Sequence, residues 1–392
     1  MFTKHLLIMN KNIIFFSFIL AFSIGKAQKR VITTSTPFLM VAADARAAGM
    51  ADIGIATSTD AFSQQWNPAK FAFSTIEQGF SVSYTPYMTD LADDIALGQI
   101  SYFNKINERS SWASSLRYFS LGLIELRETP FEPPVIASPN ELALDGSYSL
   151  QISKTFAMAV AGRYILSNLK FPTQNSDASS ASSFAVDVAG FYQSEEKAYT
   201  HFNGIWRAGF NIQNLGPKIN YDNTLDENNG YFLPANLKIG AGFEFIFDQD
   251  NKVTANVELN KLLVPTPQFE SQTNNDENKK LKEDYQNIGW VSGIFQSFND
   301  ALDGFSEEIK EITYALGTEY VYKDSFAVRA GYFHESPEKG ARNYFSLGAG
   351  FKYTSTKIDV SYLFSTSKIR NPLENTLRFS LTFNIGDKTN LQ

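Results

Sequence analysis

Side chains that commonly carry chemistry are scarce in this chain of 392 residues. The absence of cysteine excludes disulfides, thiolate nucleophiles and zinc–thiolate sites. The three histidines, His5, His201 and His334, are scattered and form no recognisable metal-binding motif. Neither a Gly-x-Ser-x-Gly nucleophile elbow nor a phosphate-binding loop is present. We therefore predict that the protein is not an enzyme and has no catalytic residue, bound metal or cofactor.

Short glycine and acidic motifs occur, but each has a simpler explanation than a functional site. The Gly-Ala-Gly tripeptides at 240–242 and 348–350 lack the third glycine and the following helix of a dinucleotide site. We interpret them as small residues that let strands curve. We interpret three pairs of adjacent acids as solvated charge: Asp93-Asp94, Glu195-Glu196 and Glu307-Glu308.

Residues 1–27 have the parts of a secretory signal peptide. Lys4 and Lys11 precede an apolar run at 13–24, and small residues before Gln28 provide a cleavage site. The run is shorter than the ~20 residues of a membrane-spanning helix, the alternative interpretation. Cleavage would remove three lysines and no acid, which shifts the formal net charge from −7 to −10. We therefore expect no nucleic-acid partner.

Alternation of apolar and polar residues is the clearest structural signal in the remaining chain. Between 377 and 385, Leu, Phe and Ile alternate with Arg, Ser, Thr and Asn, so one face is apolar and the other polar. The mean hydropathy of −0.20 fits a soluble protein, and it also fits a barrel in which only alternate strand residues face lipid, so composition alone does not decide. We predict strands at 78–86, 94–104, 111–122, 142–153, 156–166, 184–193, 205–213, 236–248, 252–260, 311–323, 325–334, 343–354, 356–365 and 375–385.

The number of strands and the lengths of their links predict an all-β membrane protein. Fourteen is an even number, as bacterial single-chain barrels require. The long links at 123–141, 167–183, 214–235 and 261–310 all fall on one side, and nearly all links on the other side are tight turns. A soluble β-sandwich has no reason to sort its links in this way. We predict a transmembrane antiparallel β-barrel of the outer membrane, with extracellular long loops and periplasmic termini.

Residues 28–77 differ from the barrel predicted at 78–385 and from the short tail at 386–392. They include aromatic residues and helix formers, with Thr59 or Asp60 as N-cap of a short helix that Pro68 ends. Because this segment is too small to form a domain, we predict that it lies inside the barrel as a hatch. The alternative is a periplasmic tail, although the aromatic content argues against disorder.

Two long links carry apolar residues that could bind partners. The link at 261–310 has apolar residues spaced three and four apart, which indicates an amphipathic helix. The link at 123–141 contains four prolines that would stiffen it. The candidate contact residues are Leu262, Leu263, Trp290, Ile294, Phe298, Leu302 and Phe305 in the first link, and Phe131, Val135 and Ile136 in the second. The alternatives are that the first set packs on the barrel rim and that the second forms a lid over the barrel mouth.

A motif in the predicted hatch carries a family resemblance. Its residues are Asp44, Arg46, Gly49, Met50 and Asp52, followed by Asn67, Pro68 and Ala69. With this motif, the chain resembles the PorV family, also called LptO, of the Bacteroidetes type IX secretion system. That family is related to the FadL fatty-acid transporters, which have fourteen-stranded barrels and an N-terminal hatch containing Asn-Pro-Ala.

The resemblance implies a role in protein secretion rather than catalysis, with a link to gliding motility. Proteins of this family associate with the giant translocon barrel and bind secreted cargo through its C-terminal signal domain. They deliver that cargo to a protease-like surface attachment partner, and they contact outer-membrane lipids. The alternative is a FadL-like channel for uptake of long-chain fatty acids or other hydrophobic molecules.

Overall fold

Fourteen antiparallel strands form a closed ring in the computed structural model of the protein. The structure describes residues 30–89, 92–127, 133–169, 180–221, 230–269, 276–367 and 371–386. In chain order the strands are β1 (Gln78–Pro86), β2 (Ile95–Asn107), β3 (Ser110–Leu121), β4 (Asn140–Gln151), β5 (Phe156–Asn168), β6 (Ala181–Gln193), β7 (Asn203–Leu215), β8 (Asn236–Ile246), β9 (Asn251–Leu262), β10 (Ile312–Tyr322), β11 (Phe326–His334), β12 (Asn343–Tyr353), β13 (Thr356–Ser365) and β14 (Leu377–Ile385).

The ring is closed by pairing between the first and last strands. Each strand pairs with its neighbours in the chain, and β14 pairs with β1 from Ile385 opposite Gln78 to Phe379 opposite Tyr84. Every predicted strand is present, with ends within a few residues of the prediction. The predicted signal peptide, Phe131 and residues 387–392 of the predicted tail lie outside the described residues.

The two faces of the wall have the polarity of a membrane barrel. On β1, Ser81 and Ser83 point inward and are buried, whereas Val82 and Tyr84 point outward, with Tyr84 50% exposed. On the other strands the same alternation places many serines, threonines and charged side chains on the inner face of the wall and most large apolar side chains on the outer face. An apolar outer face is stable in lipid, where no water is available to solvate polar groups.

Long and short links lie at opposite ends of the barrel. The short-link end carries 108–109, 152–155, 194–202, 247–250, 323–325 and 354–355, and a two-residue strand, Lys197–Ala198, lies in the third of these. The long-link end carries 87–94, 122–139, 169–180, 216–235, 263–311, 335–342 and 366–376. Two of these long links matter below, and we name them link 3 (122–139) and link 5 (263–311).

The long links contain short elements of their own. Link 3 holds a ribbon of two strands, Ile124–Leu126 and Val135–Ala137. The described residues of link 5 form three helices and a 3₁₀ turn, which are given with the site below. Among the described residues, no helix is long and apolar enough to cross a membrane.

The described residues before β1 lie inside the ring. They form helices α1 (Ala45–Ala48) and α2 (Ser63–Trp66) and 3₁₀ turns at Pro37–Met40 and Pro68–Phe73, most of them buried. Their backbone approaches the wall closely: a Cβ atom on Gly331 would lie 2.3 Å from the carbonyl carbon of Met50. Whether this segment acts as a hatch stays a prediction.

The N-terminal segment runs along the lumen from one end to the other. Near its start, the Ser35 amide donates to the carbonyl of Phe232 in a long link, at 2.9 Å. Near its end, Lys105 Nζ donates to the Ser74 carbonyl at 2.7 Å, beside the start of β1 at the short-link end. Arg30, the first described residue, lies at the long-link end, where it pairs with Glu307. The periplasmic location of the termini stays a prediction.

Candidate functional site: the lumen segment and the long-link surface

The first part of the motif forms a capped turn inside the barrel. The Asp44 carboxylate caps α1 by accepting from the Ala47 amide at 2.8 Å, as short acidic side chains do at helix N-termini. It also accepts from Trp66 Nε1 at 2.7 Å. One carboxylate therefore joins α1 to α2, although the two are separated in sequence.

Arg46 connects this turn to the wall. Its Nε and Nη2 atoms donate to the two oxygens of Glu319 on β10, at 3.0 and 2.8 Å. A third nitrogen, Nη1, donates to Asp60 at 2.7 Å. Glu319 in turn accepts from Arg329 on β11 at 2.5 Å, and Arg329 pairs with Asp359 on β13 at 2.9 Å. The segment and three strands thus share one buried charge network.

The middle of the motif is a sharp bend against β12 and β14. Ala51 and Asp52 have positive φ values of 60° and 63°, and Met50 beside them is buried. Asp52 accepts from the Tyr344 hydroxyl at 2.7 Å and from Arg378 at 3.1 Å. Asp52 is therefore fixed from two strands.

Close backbone contact explains the glycine in this bend. A Cβ atom on Gly49 would lie 2.9 Å from the Cα atom of Gly348 on β12, and the reverse distance is 3.0 Å. Two glycines therefore face each other where segment and wall touch. This contact accounts for Gly348 more directly than the strand curvature that we predicted for the tripeptide at 348–350.

The Asn-Pro-Ala element anchors the second half of the segment. Asn67 donates to the carbonyls of Ile55 at 3.2 Å and Gly190 at 3.0 Å, and it accepts from the Ala69 amide at 3.1 Å. Pro68 opens the 3₁₀ turn, where a missing amide hydrogen costs nothing. All eight predicted motif residues thus belong to one buried assembly inside the barrel.

Two charged residues of this assembly were not identified from the sequence. Glu258 on β9 accepts from the backbone amides of Gly54 and Ile55, at 2.9 and 3.0 Å. Lys70 donates to the Gly54 carbonyl at 2.7 Å and is completely buried. Strand alternation places Glu258 on the inner face, but it gives no information about which segment the side chain would meet.

Link 5 presents an exposed apolar surface. It contains α3 (Asp276–Gln286), α4 (Trp290–Gln296), α5 (Phe305–Glu308) and a 3₁₀ turn (Ile309–Glu311). The side chains of Phe295 and Phe305 are 74% and 79% exposed. We call the following exposed residues the apolar strip: Val291, Phe295, Phe298, Leu302, Phe305 and Ile309.

The structure corrects two expectations about this link. The predicted single amphipathic helix is wrong, because the chain leaves the helix after Gln296 and resumes only at Phe305, beyond Gly304 at φ 68°. Leu263 is buried, which makes it unavailable to a partner. Leu262, Trp290 and Ile294 are half-buried, and the other predicted contact residues belong to the apolar strip.

A cluster of buried ion pairs lies beneath the apolar strip. Glu307 pairs with Arg30 at 2.6 Å and with Lys339 at 2.7 Å. Lys339 also pairs with Glu311 at 2.9 Å. We call this set, together with Lys261 and Glu308, the ion-pair cluster. The prediction that Glu307 and Glu308 are solvated is wrong, because both are buried and paired.

Electrostatics in the cluster favour its charged form. Burial opposes ionisation of Glu307, but hydrogen bonds from Arg30 and Lys339 outweigh it and lower the pKa of this carboxyl to about 2. Asp300 and the carboxylates of Glu308 and Glu311 come within 4.8 Å of one another, a spacing that could hold a cation. Lys261 already pairs with both glutamates, at 3.0 and 2.8 Å, and so supplies positive charge at that point.

Link 3 presents a second exposed surface. Val135 and Ile136 lie on its two-stranded ribbon, and Ile136 is 66% exposed. Link 3 joins β3 to β4 and link 5 joins β9 to β10, so they are six strand positions apart on a ring of fourteen, where seven would be opposite. The two surfaces therefore lie on nearly opposite sides of the barrel.

A cavity of about 450 Å³ opens at the long-link end. Its lining combines hydroxyl groups with apolar and aromatic side chains, which would suit a small amphipathic molecule. The lining residues are Thr34, Ser35, Thr36, Pro37, Leu169, Tyr221 and Tyr231.

The closed wall and its apolar outer face define the protein as an outer-membrane β-barrel. The family model described as "Type IX secretion system protein PorV" matches residues 24–269. The chain belongs to this PorV family, and membership implies association with the type IX secretion system. No curated protein matches the sequence.

The solved structures of similar shape include a toluene transporter and a FadL homologue. The Pseudomonas putida toluene transporter TodX is 11% identical, covers 87% of this chain and 97% of its own, and has a TM-score of 0.48. A Pseudomonas aeruginosa FadL homologue is 13% identical, covers 91% of this chain and 99% of its own, and has a TM-score of 0.41. Both TM-scores are below 0.5, so these similarities support no argument about function.

Proposed function

We propose that this barrel is the component of the type IX secretion system that docks on the translocon barrel and carries cargo from it to the surface attachment partner. Cargo is bound through its C-terminal signal domain. The long links face the outside of the cell and the short links face the periplasm, as is usual in outer-membrane barrels. The family match supports the secretion role.

The observation that carries the docking role is the apolar strip. Large apolar side chains exposed in one group at the solvent-facing end of a membrane protein are costly unless a partner covers them. Aromatic residues such as Phe298 and Phe305 are also the side chains that supply much of the binding energy at interfaces. The apolar strip is therefore the surface that contacts the translocon.

Two surfaces allow two partners at once. The ribbon of link 3 lies nearly opposite the apolar strip, so a partner on one does not block the other. We assign the ribbon to cargo, because a short ribbon with exposed apolar side chains can add a strand from a partner. This arrangement would let the barrel receive cargo while it remains on the translocon.

The docking role is tested by affinity purification of the tagged protein from native outer membranes. We expect the double variant Phe298→Ser and Phe305→Ser to lose at least nine-tenths of the translocon recovered with the wild type, roughly the tenfold change that 1.4 kcal/mol produces. The matched control is Lys280→Ser with Glu283→Ser, which changes exposed polar residues of α3 in the same link. Equal recovery with both double variants would rule out the apolar strip as the docking surface.

The cavity at the long-link end favours a second candidate function, uptake of hydrophobic molecules. Its lining includes Tyr221, Tyr231 and Leu169, which offer apolar surface to a ligand. The test is mass spectrometry of lipids extracted from the purified protein. A stoichiometric fatty acid together with an absence of secretion partners would favour the channel over the docking role.

A further inference from the structure

The described N-terminal end of the chain is bound to the docking link. Arg30 Nε and Nη2 donate to the two oxygens of Glu307, at 3.1 and 2.6 Å, and Nη2 lies 3.2 Å from Asp303. A two-point contact between guanidinium and carboxylate fixes orientation as well as distance. This contact therefore holds the N-terminal segment against α5 of link 5 in a defined orientation.

The contact between Arg30 and Glu307 is adjacent to the apolar strip. Glu307 follows Phe305 on α5 and precedes Ile309, and both of those residues belong to the strip. Glu307 is only 3% exposed, so its charge depends on the cations that surround it. Removing Arg30 would leave Lys339 as the remaining cation beside this carboxylate, together with the Asp303 amide, which donates to it at 3.0 Å.

The same segment is fixed to the wall deep in the barrel. Arg46 is bound to Glu319, and Asp52 is bound to Tyr344 and Arg378. The segment thus has one end anchored inside the lumen and the other on the surface link. Because this segment is held at both ends, it fixes the position of link 5 relative to the rigid wall.

Resting on the proposed docking function, we infer that Arg30 positions the apolar strip for the translocon. Arg30 and the next described residues lie at the long-link end and form part of the base of the docking surface. Arg30 does not contact the translocon itself. It acts through Glu307 and α5, so both its charge and its two-point contact matter.

The first readout follows the position of α5 without any partner. The chain has no cysteine, so a spin label on Ser306→Cys, an exposed site next to Glu307, reports only local mobility. We expect the Arg30→Ala variant to increase the mobility of this label and Arg30→Lys, which keeps the charge but loses the two-point contact, to restore only part of the immobile signal. The control is Lys252→Gln, which removes an ion pair with Asp324 at the short-link end, at 2.8 Å, and leaves the mobility unchanged.

The second readout is translocon recovery with the tagged protein. We expect Arg30→Ala to reduce recovery about tenfold and Arg30→Lys to restore part of it, whereas Lys252→Gln recovers wild-type amounts. Wild-type mobility and recovery in Arg30→Ala would overturn the inference, even if Phe298→Ser with Phe305→Ser loses the translocon. If mobility rises in Arg30→Ala while Phe298→Ser with Phe305→Ser keeps the translocon, Arg30 does hold α5 in place, but the proposed docking function is contradicted.

Discussion

At the scale of single residues, buried polar contacts hold the lumen segment in place. Arg46 is bound by two oxygens of Glu319, and Glu258 accepts from two consecutive backbone amides. Removing one partner of a buried pair is costly because the other charge is left uncompensated. A few side chains therefore determine where the segment lies.

The Arg46→Ala substitution tests this dependence. We expect it to destabilise the segment by about 3 kcal/mol, the low end for a broken buried pair, because Glu319 keeps its contact with Arg329. The measurement is hydrogen exchange at the amides of Ala47 and Ala48, which should lose protection. Arg127→Ala is the control, since it breaks an exposed pair with Glu125 and should cost at most about 1 kcal/mol. Equal protection in the two variants would contradict the account.

Gly331→Ala tests the close approach between segment and wall. The added methyl group would overlap the Met50 carbonyl carbon at 2.3 Å, so we expect a loss of about 1–3 kcal/mol from forced displacement. Gly162→Ala on β5 is the control, because its Cβ position has nothing within 4 Å. The midpoints of urea unfolding in lipid vesicles compare the two. If the midpoint for Gly331→Ala equals that of the control, the lumen segment moves away from the added methyl group without a loss of stability.

At the scale of elements, link 5 depends on the ion-pair cluster rather than on helix length. Its helices α4 and α5 are short and separated, so they are marginal on their own. The cluster joins link 5 to Arg30 of the N-terminal segment, to Lys261 of β9 and to Lys339 of another long link. These contacts explain how an exposed apolar surface keeps a fixed position.

Acidification should loosen link 5. The pKa of Glu307 is about 2 in the folded protein against an ordinary value of 4.5, so its stabilising contribution is complete above pH 4.5 and is lost as pH falls toward 2. We expect the spin label at Ser306→Cys to become mobile across that window. The Glu307→Gln variant should already be mobile above pH 4.5 and show a smaller transition, because Glu311 of the same cluster still titrates. An unchanged wild-type signal down to pH 2 would contradict the role of this carboxylate.

The strands could be predicted from the sequence, but the contacts of the lumen segment could not. Alternation is local, so residues 377–385 indicate a strand without knowledge of its neighbours. The contact of Arg46 with Glu319 joins residues far apart in sequence, and nothing local indicates it. The break in link 5 was missed for the same reason, since Glu308 accepts from the amides of Asp300 and Ala301 in place of continued helix bonds.

At the scale of the whole molecule, the ends of the barrel differ in chemistry. The short-link end carries tight turns and the start of β1, and the long-link end carries the apolar strip, the ribbon of link 3 and Arg30. A protein with two exposed surfaces on nearly opposite sides can form a three-part complex. This arrangement fits a carrier better than a simple pore.

Orientation in the membrane can be measured because the chain has no cysteine. We expect a membrane-impermeant maleimide to label Asn287→Cys, in link 5, on intact cells. Asp250→Cys, in a short link, should react only after the cells are lysed. Both positions are exposed, so access to the reagent is the only difference. Labelling of Asp250→Cys on intact cells would show the opposite orientation.

The docking claim is tested most directly by photocrosslinking in living cells. A photoreactive amino acid at Phe298, on the apolar strip, should form an adduct with the translocon barrel. The same photoreactive amino acid in place of Val328, on the outward face of β11, should crosslink lipid and no protein. If Phe298 also yields only lipid adducts, the apolar strip rests in the membrane and the central claim is contradicted.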